Sequence, residues 1–182
     1  VVEAGGVDEM IMVTSAIGRR TPLLDENLRI ASEYRKVDSH WTTDDNVRPG
    51  DVIIASGTVG DHGIAILSFR EGYGFESVIE SDVAPLNGMI AEALGIGGIT
   101  AMKDPTRGGI ANTLNEWSTK SGVGLDITEK DIPLKQGVVS ACEMLGLDPF
   151  SIGNEGKVMI ACVPEMAEDI LKTLRRNKYG RD

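Results

Sequence analysis

The stretch ITAMKDPTRGGIANTLNEW (residues 99–117) decides the fold. It opens on a short apolar run, after which Ile110, Leu114 and Trp117 recur at helical spacing. A strand therefore runs into a helix through the turn Asp104-Pro105-Thr106-Arg107-Gly108-Gly109. A helix N-terminus presents unpaired N–H groups and the positive end of the dipole, and both favour an anion. Gly108 and Gly109 let a ligand approach the backbone closely. Arg107 adds a planar fork suited to phosphate or carboxylate. The competing reading is a capped helix start, with Asp104 or Thr106 at the N-cap and Pro105 in the turn.

Upstream, the turn RPGD (48–51) leads into VIIAS (52–56), which reads as a short buried strand. GTVGDHG (57–63) follows and opens a helix with Ile64, Leu67 and Ser68 on one face. Leu86, Met89, Ile90, Ala93 and Leu94 mark an amphipathic helix. Residues 9–15 (EMIMVTS) read as a strand, and residues 19–48 as polar and irregular with a short helix over 24–34. Downstream, Val123, Leu125 and Ile127 alternate, which predicts a half-exposed strand over 122–127. Val138, Cys142 and Leu145 define another helix. NEGK (154–157) introduces the most apolar strand, 158–163, and Pro164 starts a final helix that buries Met166, Ile170 and Leu174. Short apolar strands alternating with helices predict a single α/β (α+β) domain over residues 1–182, one sheet covered by helices.

The composition, 41% hydrophobic and 25% charged over 182 residues, suits one well-packed core. A net charge of −10 argues against a broad basic face for nucleic acid, although a nucleotide held locally by Arg, N–H groups and a metal fits it. No apolar run is long enough for a membrane span. Cys142 and Cys162 lack metal-ligand spacing and read as buried thiols of a reducing compartment, which sets the expectation of a cytoplasmic protein. Arg175, Arg176, Lys178 and Arg181 read as a solvated cationic end of the last helix.

Three Gly-bearing turns adjoin strands: 57–63, 104–109 and 154–157. Together they suggest one anionic ligand at one edge of the sheet. His62, after Asp61 at a helix start, is either a phosphate-binding or proton-transferring group or a surface residue with a local hydrogen bond, while His40 reads as exposed. Glu155, before the most apolar strand, is either a partly desolvated base or an acidic turn residue in water. Lys157 would pair with a phosphate or with Glu155. No Walker loop, GxGxxG or Ser–His–Asp spacing is present.

RPGDVIIASGTVGDHGIAIL (48–67), MKDPTRGGIANTLNE (102–116) and CEMLGLDPFSIGNEGKVMIACVP (142–164), in that order, resemble the C-terminal half of the HypE family of hydrogenase maturation factors, within the aminoimidazole ribonucleotide synthetase (PurM-like) superfamily. Residues 19–46 look longer than the family's usual link and are the main departure. The resemblance implies a PurM C-terminal-like domain with a mixed β-sheet. It also implies an ATP-dependent carbamoyl dehydratase, which converts an S-carbamoyl group on its own C-terminal Cys into a thiocyanate that supplies cyanide to nickel–iron hydrogenase. In that reaction Glu155 is the base or part of a proton relay. Thr106, Arg107, Gly108, Gly109, Asp61, His62 and Lys157 serve the ATP side, and Asp104 is a Mg²⁺ ligand by analogy with sister families. The carbamoyltransferase HypF, maturation scaffold proteins and a homodimer of the full-length protein are the implied partners. Family members end in Pro-Arg-Ile-Cys, whereas this sequence ends in YGRD (179–182). A family Lys would precede Val1, in a domain that supplies most of the ATP and Mg²⁺ site, so the expectation is a C-terminal domain inactive on its own. The alternatives are another PurM-like synthetase or small-molecule kinase, or a non-catalytic docking domain.

Overall fold

The computed structural model describes residue 15 and residues 17–72 and 79–181. The strand expected over 9–15 falls outside these residues except for Ser15, which has no regular structure. Three strands form the sheet: β1 (Val52–Ala55), β2 (Ile99–Lys103) and β3 (Met159–Cys162), in the order β1-β3-β2. Both pairings are antiparallel, so no parallel pair of a mixed sheet occurs among the described residues. Val52 faces Cys162 and Ala55 faces Met159 on one side of β3. On the other, Ile99 also faces Cys162 and Lys103 faces Met159, with an irregularity between Ile99 and Ala101.

β3 is central and all four of its residues are buried, as its apolar run predicts. Its side chains alternate between two cores. Ile160 and Cys162 join Ile54 and Ile99 under α3 (Asn87–Ile96) and α6 (Pro164–Arg176), where Met89, Ala93, Ile170 and Leu174 close the cluster. Met159 and Ala161 join Ala101 on the opposite face, under α4 (Gly109–Ser121), with Ile110 and the fully buried Trp117. Each large side chain buried this way contributes about 1.5–3 kcal/mol. A third cluster packs Ile64 of α2 (Asp61–Glu71) against Val138, Ala141 and Cys142 of α5 (Gln136–Leu145).

Two expectations are corrected. β1 is not a buried strand: it is an edge strand, and Val52 is 36% exposed. Residues 122–127 form no strand. Gly122, at φ +67°, ends α4, the Val123 N–H donates to Ser118 O at 3.1 Å, and Val123 and Leu125 lie against the second core as an unpaired segment. Their alternation reports one buried side without a neighbouring strand.

Residues 19–46 are built into the fold. α1 (Pro22–Tyr34) covers its predicted helix, and the buried Asn27 on it imitates a strand partner for β2. Asn27 Nδ2 donates to Ile99 O at 2.8 Å, and its Oδ1 accepts the Ile99 N–H at 2.9 Å. Asn46 Nδ2 donates to Thr100 O at 3.0 Å. The Arg35 fork grips Asp51 at 3.0 and 2.8 Å.

Candidate active site

Asn154 stands where the three glycine turns meet, and it is fully buried. Its Oδ1 accepts the Gly60 N–H at 2.8 Å. Its backbone N–H and Nδ2 both donate to Pro105 O, at 3.1 and 3.2 Å, and Nδ2 also reaches Ile152 O at 3.1 Å. One side chain thus joins the 57–63 turn to the 104–109 turn. The Gly63 N–H adds a second link, donating to Gly153 O at 3.0 Å. The packing there leaves no room for side chains. A Cβ on Gly153 would lie 2.6 Å from Thr106 O, and one on Gly109 would lie 2.4 Å from Phe150 O and 2.5 Å from Ile152 O. The three turns are one assembly.

The α4 start is not a capped one. Its N-cap is Gly108, at φ +74°, with no side-chain cap hydrogen bond. The Thr106 hydroxyl donates instead to Asp104 Oδ2 at 2.8 Å, so neither side chain caps the helix, although the Thr106 carbonyl accepts the Gly109 N–H at 3.4 Å. Asp104, Arg107 and Gly108 are exposed, and Arg107 makes no hydrogen bond or ion pair among the described residues. An open helix start beside an uncommitted guanidinium suits an anion.

Asp61, at the first position of α2, points inward and is completely buried. Its Oδ2 accepts from the Thr58 hydroxyl at 2.5 Å and pairs with Lys135 Nζ at 3.2 Å, while Oδ1 is buried without a partner among the described residues. It braces the turn from within and does not face a phosphate. His62 is half-buried, with Nδ1 2.8 Å from Ser81 Oγ. Lys157 is partly buried and forms no ion pair with Glu155 among the described residues. Glu155 is exposed, which in this chain matches the second of its two readings, an acidic turn residue in water, and not a carboxylate partly desolvated at the mouth of β3. The burial ends one residue earlier, at Asn154, and resumes at Gly156.

No group of three or more potential metal-binding side chains occurs among the described residues. The exposed Asp104 offers a single carboxylate, which is compatible only with an ion, such as Mg²⁺, that takes most of its ligands from water and phosphate oxygens. An open groove runs along β1 past Leu114, Leu125, Ile132 and Leu171, and none of the candidate residues lines it.

Sequence reasoning missed Asn154 as the joint, together with Ser81 and Asp82. Asp82 Oδ1 accepts the Glu155 and Gly156 N–H groups at 3.0 and 3.2 Å. An Asn between glycines in a turn is a signal for the first. Nothing local marks Asp82, whose partners lie more than seventy residues away.

The chain is similar to the carbamoyl dehydratase HypE of Azotobacter vinelandii, with 42% identity over 100% of this chain and 49% of the relative. It therefore spans about half the length of the curated relatives it matches. Among solved structures it resembles HypE in a HypE–HypF complex, at TM-score 0.75 and 46% identity over 76% of this chain and 46% of that one. It also resembles HypE in complex with ATP, at TM-score 0.74 and 41% identity over 76% of this chain and 42% of that one. The family described as "AIR synthase related protein, C-terminal domain" matches residues 48–180. Those residues hold all three turns and every candidate side chain, and on them the chain belongs to the family of AIR synthase related proteins, as that family's C-terminal domain.

Proposed function

We propose that this chain is the C-terminal part of an ATP-dependent carbamoyl dehydratase of the HypE kind, which turns an S-carbamoyl group on a cysteine into a thiocyanate for hydrogenase maturation. The joining of the three turns through Asn154 carries the reading, because it ties the loop of Glu155 to the open start of α4. An amide oxygen is a very poor leaving group. Transfer of the ATP γ-phosphoryl group to that oxygen makes it a good one. Removal of both amide protons then breaks the C–O bond and leaves ADP, inorganic phosphate and a nitrile. Such a site must neutralise phosphate charge and accept a proton.

Arg107 and the N–H group of Gly108 take the phosphate side in this reading, with Thr106 next to them and Lys157 in the separate 154–157 turn, while the buried Gly109 N–H is engaged by the Thr106 carbonyl. Asp104 supplies one ligand to Mg²⁺, and Glu155 accepts the proton. Exposure of Arg107 and Glu155 in this chain supports a site completed by a second, N-terminal domain that carries most of the ATP contacts. The relative solved with HypF supports HypF as a partner, and the relative solved with ATP supports the nucleotide. A homodimer, the maturation scaffold proteins and a cytoplasmic location belong to the same reading. No described helix is long and apolar enough to cross a membrane.

The test is ATP-dependent thiocyanate formation by the full-length protein. Glu155→Gln is expected to lower kcat by a factor of about 100 or more, the range for loss of a general base. Arg107→Ala is expected to raise the KM for ATP. Wild-type kcat in Glu155→Gln removes Glu155 from the chemistry.

A further inference from the structure

Residues 81 and 82 lie in a segment without regular structure and touch two of the three turns. Ser81 Oγ is 2.8 Å from His62 Nδ1 in the 57–63 turn. Asp82 Oδ1 accepts the N–H of Glu155 at 3.0 Å and that of Gly156 at 3.2 Å. The segment crosses the 154–157 turn so closely that a Cβ on Gly156 would lie 1.7 Å from Asp82 O and 2.8 Å from Ala84 N.

The two amides that Asp82 holds stand on either side of the Glu155 Cα. The torsion between their nitrogens is ψ of Glu155, one of the two soft torsions of that residue. A single oxygen that binds both amides therefore fixes the backbone from which the Glu155 side chain departs. Asp82 Oδ2 is buried without a partner among the described residues. An unpaired buried carboxylate oxygen is destabilising, so the side chain is poorly explained as a fold stabiliser alone.

We infer that Asp82 is a positioning residue for Glu155, aiming its carboxylate through the two backbone amides, while Ser81 keeps the same segment in register with His62. The inference rests on the proposed role of Glu155 as the base. Misdirection of a base by about an ångström is enough to slow a reaction on the order of a hundredfold without weakening substrate binding.

The experiment measures ATP-dependent thiocyanate formation by the full-length protein, with thermal melts as a control for folding. Asp82→Ala is expected to lower kcat by about ten- to a hundredfold and to leave the KM for ATP unchanged. Asp82→Asn, which retains an oxygen able to accept both N–H groups, is expected to recover most of that loss. Wild-type kcat in Asp82→Ala overturns the inference, and so does an equal loss in the Ala and Asn variants, which would assign the effect to charge. Glu155→Gln is measured alongside. Its inactivity together with a fully active Asp82→Ala overturns the positioning role alone. Its full activity overturns the base assignment and the inference with it. If Asp82→Ala fails to melt cooperatively, Asp82→Ser takes its place, because a serine hydroxyl is too short to hold both amides; wild-type kcat there overturns the inference equally.

Discussion

Asn154 shows how much one buried amide can organise. Its acceptor oxygen is committed to Gly60, and its donors are committed to Pro105 and Ile152. Asn154→Ala would leave the Gly60 N–H unpaired and withdraw one donor from each of those carbonyls. The expected loss is about 2–4 kcal/mol, set by unpaired buried polar groups, and is read from the midpoint of urea unfolding. Asn154→Asp is expected to be at least as damaging, because it turns an oxygen toward the Pro105 and Ile152 carbonyls. A loss within about 0.5 kcal/mol, typical of a surface site, would mean that the turns are held together by something else. Cys162 gives a second check at this scale. Burial, with Asp51 nearby, pushes its thiol up to about 12. The thiolate is the reactive form, so Cys162 is expected to resist alkylation at pH 8 in the folded protein and to react once urea unfolds it. Rapid labelling of the native protein, followed by peptide mapping, would contradict the burial.

Among the elements, the start of α4 is the most exacting. Gly109 sits at φ +60° against the Phe150 and Ile152 carbonyls, whereas Gly122 at the other end of the helix has φ +67° and open space. Both substitutions to Ala carry left-handed strain of roughly 1–2 kcal/mol. Gly109→Ala also collides with backbone that cannot swing aside, so it is expected to cost more than about 3 kcal/mol in all, while Gly122→Ala stays near the strain alone. Paired denaturation curves check the contrast, and equal losses would refute the close packing of the turns. The strand-turn-helix unit around this glycine was legible because a short apolar run, a turn rich in Gly and Pro, and a 3.6-residue repeat each report local geometry. β3 and α6 were legible for the same reason. The misreadings share a physical cause. Val123 and Leu125 alternate as a strand would, but alternation records burial of one side and is silent about a pairing partner. For Glu155, which adjoins a buried strand, the sequence left two readings open, because its exposure depends on which chain segments cover it. Asn27 and Asp82 act on residues 72 and 73 positions away, and no local pattern announces such partners.

At the scale of the molecule, a polar brace centred on Asp44 ties the segment before β1 to both β2 and α4. Its Oδ2 pairs with Lys103 Nζ at 2.9 Å and Lys120 Nζ at 2.7 Å, and its Oδ1 accepts the Trp117 Nε1–H at 3.0 Å. Glu116 pairs with the same two lysines at 2.7 and 2.9 Å. The helix held this way is the one whose other end opens the candidate site. Burial alone would raise the pKa of Asp44, but the hydrogen bonds from Lys120, Lys103 and Trp117 outweigh it and hold the carboxyl below its usual range. Lys103 and Lys120 lower Glu116 to about 2. A carboxylate depressed by folding contributes stability above its unfolded pKa, and the contribution fades as pH falls through the folded value. For Asp44 the contribution is therefore complete above the ordinary 3.8 and declines below it. For Glu116 the decline spans 4.5 down to about 2. Asp44→Asn is accordingly expected to destabilise the chain by about 1–3 kcal/mol at pH 7, the scale of charge-assisted hydrogen bonds on partly buried groups. The deficit relative to wild type should shrink as the pH is lowered below about 4, where the Asp44 carboxyl of the unfolded chain begins to take up a proton that the folded one still resists. Urea unfolding of both proteins at pH 7, 5, 4 and 3 measures this difference directly, and comparison with the variant cancels the titration of carboxylates outside the brace, Glu116 being coupled to Asp44 through the shared lysines. A deficit that stays constant from pH 7 to 3 would mean that Asp44 acts through shape and not through charge, and that the brace does not hold α4 electrostatically.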